Sequence, residues 1–344
     1  MTTVTGAQLG RFKILRRLAV GGMAEVYLAS ETLGEGIDRV VVLKTLLKDK
    51  RDDEEFVTMF FDEARLLSHL CHPNVVQVFA TGTHGPDSYM AVEYVRGASL
   101  RDLLAAATHT PRGALDEAVA VSIGITLAET LAYVHDALDE EGRPLNIVHR
   151  DLTPANVMLS YDGAVKLIDF GIAQGEDRVY ETTAGVLKGT CGYMAPEQLQ
   201  MQQDMDRRAD IFAFGVMMYE ATTGTHPFTV KNPAELYDRI LEARYTPPRR
   251  VRRDLSASLA ELITTCMSRR ADDRPSDMRV VATWLRSVLV SAGQLPLMAE
   301  LGDLVRQMFP RHRTDEIGGG DEPKTDPQMA APAAGEWVTQ VDDG

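Results

Sequence analysis

The N-terminal third of the chain alternates short apolar and β-branched runs with breaks that contain glycine. These runs, RFKILRRLA, EVYLAS, RVVVLKTL, VVQVFATG and SYMAVEYV, predict the strands of an antiparallel sheet. A helix is predicted to interrupt the sheet over Asp52–Leu70, because Phe56, Phe60, Glu63 and Leu67 recur with the period of one helix face. Glu63 therefore lies on an apolar face, where a carboxylate is unusual.

After Gly97 the pattern changes to that of helices. The segments Asp116–Ala137 and Ile211–Thr222 are apolar on nearly every face, as expected of helices buried in a larger core. This second, mainly helical domain is predicted to end near Leu289. An amphipathic helix, LMAELGDLVRQMF, follows, and the acidic remainder, rich in Gly, Pro and Ala, is predicted to be disordered.

Length and charge limit the classes of protein. With 344 residues the chain is long enough for roughly two domains of about 150 residues. Its formal net charge of −14 argues against a nucleic-acid partner. Half of that charge lies after Thr314, where eight acidic residues face a single lysine. We therefore expect an acidic C-terminal tail and no nucleic-acid surface.

The cysteines and the apolar segments indicate a reducing, aqueous compartment. Cys71, Cys191 and Cys266 are scattered and odd in number, which favours free thiols over a disulfide framework or a CxxC metal site. The apolar run between Glu117 and Glu129 is shorter than the roughly 20 residues of a membrane span, and the N-terminus lacks an apolar signal core. We expect a cytoplasmic protein with no membrane partner.

A candidate phosphate-binding turn lies between the first two strands, in LAVGGMAEVYLA. The small residues Ala19, Gly21, Gly22 and Ala24 would let backbone N–H groups approach a phosphate closely. A tight hairpin without a ligand has the same composition, so this motif alone leaves both interpretations open.

A candidate ion pair joins the third strand to the helix. Lys44 ends the run VVVLK on the side expected to face a core, and a buried lysine needs a partner. Glu63 is the obvious partner. Taken singly, either residue is also compatible with a surface charge whose stem lies along the protein.

The strongest chemical signal is IVHRDLTPANVML followed by VKLIDFGIA. Asp151, Asn156 and Asp169 supply three oxygen-bearing side chains, and Mg²⁺ prefers such oxygens together with substrate phosphates. A carboxylate near that metal can orient a hydroxyl and accept its proton. The alternative, a polar loop with an Asx-turn, explains the combined motif poorly.

Taken in order, these motifs resemble those of the eukaryotic-type (Hanks-type) protein kinases, most of all the bacterial Ser/Thr kinases. The resemblance runs from Arg11 to about Leu289. Lys44 resembles the family's phosphate-binding lysine, and Glu63 resembles its partner on helix αC. The later matches are the HRD motif at His149, Arg150 and Asp151, the second metal ligand Asn156, the DFG motif at Asp169, Phe170 and Gly171, Glu197 at the end of GTCGYMAPE, the catalytic-loop anchor Asp210, and Arg274 as partner of Glu197.

The resemblance implies an α+β, bilobal protein-kinase fold. A small antiparallel β-sheet N-lobe would carry helix αC, and a larger C-lobe would be mainly α-helical. The predicted divisions are an N-terminal extension (1–10), the N-lobe (11–95), the C-lobe (96–290), a C-terminal amphipathic helix (291–310) and the acidic disordered tail (311–344).

The resemblance also implies ATP with Mg²⁺, or Mn²⁺ in its place, and transfer of the γ-phosphoryl group to protein Ser or Thr hydroxyls. Lys44 would contact the α- and β-phosphates, Asn156 and Asp169 would hold the metal, and Asp151 would take the hydroxyl proton. The residues expected around the nucleotide are Ala19, Val20, Gly21, Gly22 and Met23 over the phosphates, Val26, Val42 and Met158 around the adenine, and Glu93 and Val95 at its edge.

Four positions depart from the family pattern. Ala19 and Ala24 replace glycines of the phosphate loop, and Val42 replaces an alanine beside the adenine. Thr153 stands where Ser/Thr kinases usually have a lysine that contacts the transferred phosphate. Myxobacterial-type kinases resemble this chain in having Ser or Thr there, which favours a variant active site. An ATP-binding pseudokinase or scaffold is the alternative.

The same resemblance implies specificity and regulation. Pro154 and Thr190 follow the Ser/Thr pattern rather than the Tyr pattern. Arg150, directly before the catalytic aspartate, would pair with a phosphate on the activation segment, where Thr182 and Thr183 are the candidate acceptors. The implied partners are protein substrates and a second copy of the chain acting in trans as a transient homodimer.

Overall fold

The chain folds into a β-sheet N-lobe and a larger helical C-lobe, as the sequence predicts. The computed structural model describes residues 6–171, 189–202, 205–230 and 233–310. The predicted phosphorylation sites Thr182 and Thr183 and the acidic tail (311–344) lie outside the described residues.

The N-lobe is a six-stranded antiparallel sheet in the order β1-β2-β3-β4-β6-β5. The short strand β1 forms the sheet edge and falls in the segment predicted to be an N-terminal extension. The strands are β1 (Gln8–Leu9), β2 (Phe12–Val20), β3 (Ala24–Gly34), β4 (Ile37–Leu46), β5 (Val78–His84) and β6 (Asp87–Glu93).

Helix α1 (Glu54–Ser68) interrupts the sheet at the predicted place and is shorter by a few residues at each end. Its start is set by Asp53, whose side chain accepts a hydrogen bond from the Glu55 backbone N–H at 3.0 Å. Phe60 and Leu67 are buried on one face, and Glu63 is buried with them. The helical period therefore placed this carboxylate correctly.

The two faces of the sheet have different neighbours, because side chains alternate along a strand. Val41 and Leu43 of β4 are fully buried in an apolar cluster on one face with Phe12 of β2. Val42 and Lys44 therefore point to the opposite face, where both are half-buried. On that face the Lys44 side chain contacts Glu63 of α1.

The C-lobe combines helices with a small antiparallel sheet, β7 (Gly97–Ser99), β8 (Val157–Ser160) and β9 (Val165–Leu167). The 3₁₀ turns Pro154–Asn156, Gly189–Tyr193 and Ala271–Asp273 lie between these elements. The helices in the described residues are α2 (Leu100–Ala107), α3 (Glu117–His135), α4 (Pro196–Leu199), α5 (Arg208–Thr223), α6 (Pro233–Leu241), α7 (Pro248–Val251), α8 (Ala257–Cys266), α9 (Met278–Ser291) and α10 (Met298–Met308).

Helices α3 and α5 form the centre of the C-lobe, as their all-round apolar character predicts. Within the described residues α3 is also the one helix long and apolar enough to cross a membrane by length and composition, and most of it is buried inside the protein. Helix α5 ends at Gly224, whose φ of +72° is left-handed and where a Cβ would lie 1.9 Å from the Gly113 carbonyl oxygen. Only glycine fits that ending.

Candidate active site

The structure brings three charged side chains together between the lobes. Lys44 Nζ lies 2.9 and 3.1 Å from the two carboxylate oxygens of Glu63 and 3.2 Å from Asp169 Oδ1. Burial alone would lower the pKa of Lys44, but the carboxylates of Asp169 and Glu63 raise it above its usual value. Lys44 is therefore a permanently charged group that links β4, α1 and the segment after β9.

Each residue of the sequence Asp169-Phe170-Gly171 has its own structural role. Phe170 is buried, with its ring centroid 4.6 Å from that of His149. The Gly171 N–H donates to His149 O at 2.9 Å, and a Cβ on Gly171 would lie 2.8 Å from Asp151 Cβ. Asp169 has a left-handed φ of +49° and a half-exposed side chain. The anchored Phe170 and Gly171 thus hold the Asp169 carboxylate in the cleft.

The loop before β8 positions Asp151 and Asn156 together. Asn156 Nδ2 donates to the Asp151 carbonyl oxygen at 2.8 Å and to Asp151 Oδ2 at 3.1 Å. The other carboxylate oxygen, Asp151 Oδ1, is buried and has no hydrogen-bond partner among the described residues. A buried carboxylate oxygen without a donor is costly, and a ligand hydroxyl would satisfy it.

Asp210, at the start of α5, anchors the backbone of this loop. Its carboxylate accepts hydrogen bonds from the backbone N–H groups of His149 at 2.8 Å and Arg150 at 2.9 Å, and from His135 Nε2 at 2.8 Å. Burial alone would raise the pKa of Asp210, but the His135 hydrogen bond and the His149 contacts hold it below its usual range. Asp210 therefore contacts the backbone of the loop directly before Asp151, as expected of an anchor.

Thr153 occupies a structural position in the same loop. Its carbonyl oxygen accepts a hydrogen bond from the Asn156 N–H at 3.0 Å, which closes the turn Pro154–Asn156. The Thr153 side chain is buried. Thr153 thus helps to present Asn156.

The residues expected over the phosphates lie where β2 turns into β3. Ala19 pairs with Val26 in the ladder, and the turn closes with a hydrogen bond from Gly21 N–H to Ala24 O at 2.8 Å. Val20 and Gly22 are exposed beside this bond. Met23, the last residue of the turn, is partly buried against the main core.

The residues expected around the adenine come from both lobes. Val26 lies directly opposite Lys44 in the ladder, and Val42 lies opposite Val92. Met158 is on β8, half-buried between the fully buried neighbours Val157 and Leu159. This alternation turns Met158 away from the C-lobe core.

The connection from β6 to β7 carries Glu93 and Val95. The Glu93 N–H donates to Gln77 O at 2.8 Å. Its carboxylate binds Lys166 of β9 through both oxygens, at 2.6 and 2.7 Å. Val95 is buried. This charge pair ties the end of the N-lobe sheet to the strand that precedes Asp169.

The predicted pair of Glu197 and Arg274 is present and deeply buried. The two guanidinium nitrogens of Arg274 lie 2.5 and 2.8 Å from the two Glu197 oxygens. Arg274 also donates to the carbonyl oxygens of Ser268 at 2.9 Å and Arg208 at 2.8 Å. These contacts tie α4 to the start of α5 and to the segment after α8. The side chain of Thr190 lies outside the described residues.

A group of contacts under the turn Gly189–Tyr193 is not predicted by the sequence. Tyr193 donates a hydrogen bond to Glu220 of α5, and its ring packs edge-on against His226 with centroids 5.0 Å apart. A Cβ on Gly192 would lie 2.7 Å from the His226 ring. These residues are far apart in sequence and follow no common period, so no local signal could reveal the group.

The sequence gives no signal for the contacts of Gln198 either. Its Oε1 accepts from the Ala195 N–H at 2.9 Å, and its Nε2 donates to Arg150 O at 2.9 Å. Arg150 has a left-handed φ of +64°, which is unfavourable for a residue with a Cβ. Gln198 therefore links α4 to a strained residue directly before Asp151.

His226 predicts a specific pH dependence of stability. Burial lowers the pKa of His226 from 6.5 to about 4. Between these values the unfolded chain binds a proton at this residue that the folded chain does not, so the contribution of His226 to the free energy of unfolding falls as the pH falls, by up to about 1.4 kcal/mol per pH unit. Urea unfolding of a His226→Gln variant at pH 7 and pH 5 should show a pH slope that is smaller by up to one proton.

An exposed histidine provides the control for that measurement. His109→Gln changes a residue on the surface and should leave the slope unchanged. Equal slopes for the native chain and His226→Gln would contradict the assignment of His226 as a buried neutral group.

Comparison with known proteins places this architecture in a family. Residues 12–285 match the protein kinase domain family, and the chain belongs to that family. The match agrees with the span predicted from the motifs, Arg11 to about Leu289.

Bacterial protein kinases are among its relatives. The chain is 39% identical to the tyrosine-protein kinase MasK of Myxococcus xanthus, over 85% of this chain and 46% of that protein. It is 30% identical to the serine/threonine-protein kinase PknB of Mycobacterium tuberculosis, over 96% of this chain and 52% of that protein. The chain thus spans about half the length of these relatives. The predicted resemblance to bacterial and myxobacterial kinases is confirmed.

The fold is also that of a solved kinase structure. The crystal structure of a mutant of the Mycobacterium tuberculosis PknI kinase domain matches with a TM-score of 0.61 and 25% sequence identity. The match covers 83% of this chain and 99% of that one. The predicted bilobal kinase fold is therefore confirmed.

Proposed function

We propose that this chain is an ATP-dependent protein kinase that phosphorylates Ser and Thr hydroxyls. The observation that carries the proposal is the position of Lys44, which contacts both Glu63 and Asp169 and so places a cation beside a half-exposed carboxylate. A charged lysine at this place suits the α- and β-phosphates of ATP.

The residues present fit a divalent metal. Asp169 offers a half-exposed carboxylate. Asn156 donates from Nδ2 to Asp151, and no described residue donates to its Oδ1, so this oxygen can bind a metal. Mg²⁺ usually takes one or two protein carboxylates and completes its shell with phosphates and water. When bound, the metal would neutralise charge on the phosphate oxygens, and Mn²⁺ could replace it.

Asp151 supplies the acceptor for the proton of the substrate hydroxyl. In the proposed reaction the bond between the γ-phosphorus and the ADP oxygen breaks, and a bond forms from that phosphorus to the substrate oxygen. The hydroxyl proton goes to Asp151 Oδ1, the buried oxygen that lacks a partner in the described structure. The Asn156 hydrogen bonds orient the carboxylate for this step.

The proposed regulation is phosphorylation of the activation segment, by a second copy of the chain in a transient homodimer. Arg150 has an exposed side chain and a backbone held by Asp210 and Gln198. A phosphate on Thr182 or Thr183 would pair with the Arg150 guanidinium and order the segment.

The nature of the acceptor is the point to test first. PknB is named a serine/threonine kinase, whereas MasK is named a tyrosine kinase. Pro154 and Thr190 favour Ser and Thr. Incubation with Mg²⁺ and ATP labelled at the γ-phosphate, with and without a basic protein substrate, followed by acid hydrolysis, should yield phosphoserine and phosphothreonine. Peptide mapping should locate autophosphorylation at Thr182 or Thr183.

Each other outcome has a definite meaning. Phosphotyrosine alone would overturn the Ser/Thr assignment and leave the kinase assignment intact. No label, from a folded chain that binds ADP, would favour the pseudokinase alternative that Thr153 raises. Label at sites other than Thr182 and Thr183 would overturn the proposed regulation alone.

A further inference from the structure

Helix α10 (Met298–Met308) lies beyond the residues that match the protein kinase family. It is nevertheless an integral part of the C-lobe. Leu301 and Val305 are buried in the main core, and the helix contacts β7, β8, α2 and α3. An element added to the family domain is thus packed against the small sheet beside the cleft.

The contact with that sheet is a close approach of two backbones. Gly302 of α10 faces the turn between β8 and β9, and a Cβ there would lie 2.7 Å from Tyr161 O and 2.9 Å from Gly163 N. On the other side, a Cβ on Gly163 would lie 2.0 Å from Met298 O. Neither glycine can be enlarged unless the helix and the turn move apart.

Hydrogen bonds fix the helix at the same turn. Tyr161 donates from its hydroxyl to Phe309 O at 3.2 Å, and Arg306 donates to Tyr161 O. At the start of the helix, the Leu297 N–H donates to Ser122 Oγ of α3 at 2.9 Å. The helix is therefore held at both ends.

The turn belongs to the hairpin that carries residues of the candidate active site. Strand β8 leads back from Tyr161 to Met158, and β9 leads on to Asp169. The Tyr161 N–H donates to Arg96 O at 3.0 Å, at the end of the connection between the lobes. Ser99 of β7 pairs with Met158 in the ladder. A displacement of the turn would therefore be transmitted to Met158.

We propose that α10 is a positioning element of the nucleotide site, acting through Gly302 and Tyr161 on Met158. The inference rests on the proposed function, because Met158 is assigned to the adenine by that proposal. Loss of the contact between α10 and the turn is expected to weaken nucleotide binding.

Helix propensity and the packing of α10 against the turn predict opposite effects of the substitution Gly302→Ala. Alanine is the best helix former, so Gly302→Ala should stabilise an isolated helix. The added methyl group, however, would collide with the backbone at Tyr161 and Gly163 and push the helix away. Gly302→Val enlarges the collision. Gln307→Ala changes an exposed position of the same helix and is the matched control.

The test is calorimetric titration of the full chain with ADP and Mg²⁺. We expect the Kd to rise about fivefold for Gly302→Ala and about tenfold for Gly302→Val, and to stay unchanged for Gln307→Ala. Tyr161→Phe removes one hydrogen bond without a collision and should raise the Kd in the same direction by a smaller factor. Amide hydrogen exchange in 157–160 should accelerate in the Gly302 variants.

One result would overturn this inference alone, and a different result would overturn the proposed function. An unchanged Kd in folded Gly302 variants would show that α10 only stabilises the fold, and if those variants do not fold, an unchanged Kd in Tyr161→Phe decides the same point. A chain without substitutions that binds no ADP would overturn the proposed function itself, and this inference with it.

Discussion

Replacement of Asp151 by asparagine is expected to lower kcat by about 10²-fold to 10⁴-fold, the range that a positioned general base contributes. The amide is nearly isosteric with the carboxylate and can still accept a hydrogen bond from Asn156 Nδ2, so the loop should keep its shape. It cannot take a proton at the position of Asp151 Oδ1. ADP binding and the free energy of unfolding should therefore change little.

The measurement is the initial rate of γ-phosphoryl transfer to a protein substrate, with the Kd for ADP determined on the same preparations. Asp49→Asn removes an exposed aspartate in the turn after β4 and should retain full activity. If Asp151→Asn retained more than about a tenth of the activity, general-base catalysis by Asp151 would be refuted.

Replacement of Arg274 by alanine is expected to lower the free energy of unfolding by about 3 to 5 kcal/mol, as is usual when one partner of a buried ion pair is removed. The guanidinium is fully buried and binds Glu197 through two nitrogens. Its removal leaves the Glu197 carboxylate buried without a cation, and it leaves the carbonyl oxygens of Ser268 and Arg208 without that donor.

Urea unfolding at pH 7 followed by circular dichroism measures this effect. Arg239→Ala is the matched control, because Arg239 pairs with Glu235 at 2.8 Å on the surface of α6 and should cost at most about 1 kcal/mol. An Arg274→Ala variant no less stable than Arg239→Ala would mean that the Glu197 carboxylate finds another partner after rearrangement. The buried pair would then not hold α4 in place.

Much of the N-lobe could be predicted because its elements are long and strictly periodic. The apolar run around Val41 and Leu43 predicts a strand, and the period of Phe60 and Leu67 predicts the helix. The same two periods place Lys44 and Glu63 on facing sides, and the structure joins them at 2.9 Å. The two-residue strand β1 and the three-residue to four-residue strands β7, β8 and β9 are too short for any period to reveal.

The residues of the candidate site could be predicted from the sequence, but several of their contacts could not. The motifs identify Asp151, Asn156 and Asp169 because each stands in a short, chemically distinctive run. They do not indicate that Asp151 Oδ1 lacks a partner among the described residues or that Gln198 binds the Arg150 carbonyl, since these are distances between separate segments.

The sequence by itself indicated the family through the resemblance of its ordered motifs. It also determined the strand-rich and helical parts and the chemical groups available, because periodicity and residue type are local properties. Only the tertiary structure decided which distant groups touch: Tyr193 with Glu220, His226 with Gly192, and α10 with the turn at Gly163. These contacts depend on how whole elements pack, and packing depends on the volumes and backbone distances of residues far apart in the chain. For that reason the sequence predicts α10 only as an amphipathic helix, whereas the structure shows that it packs against the strand that carries Met158.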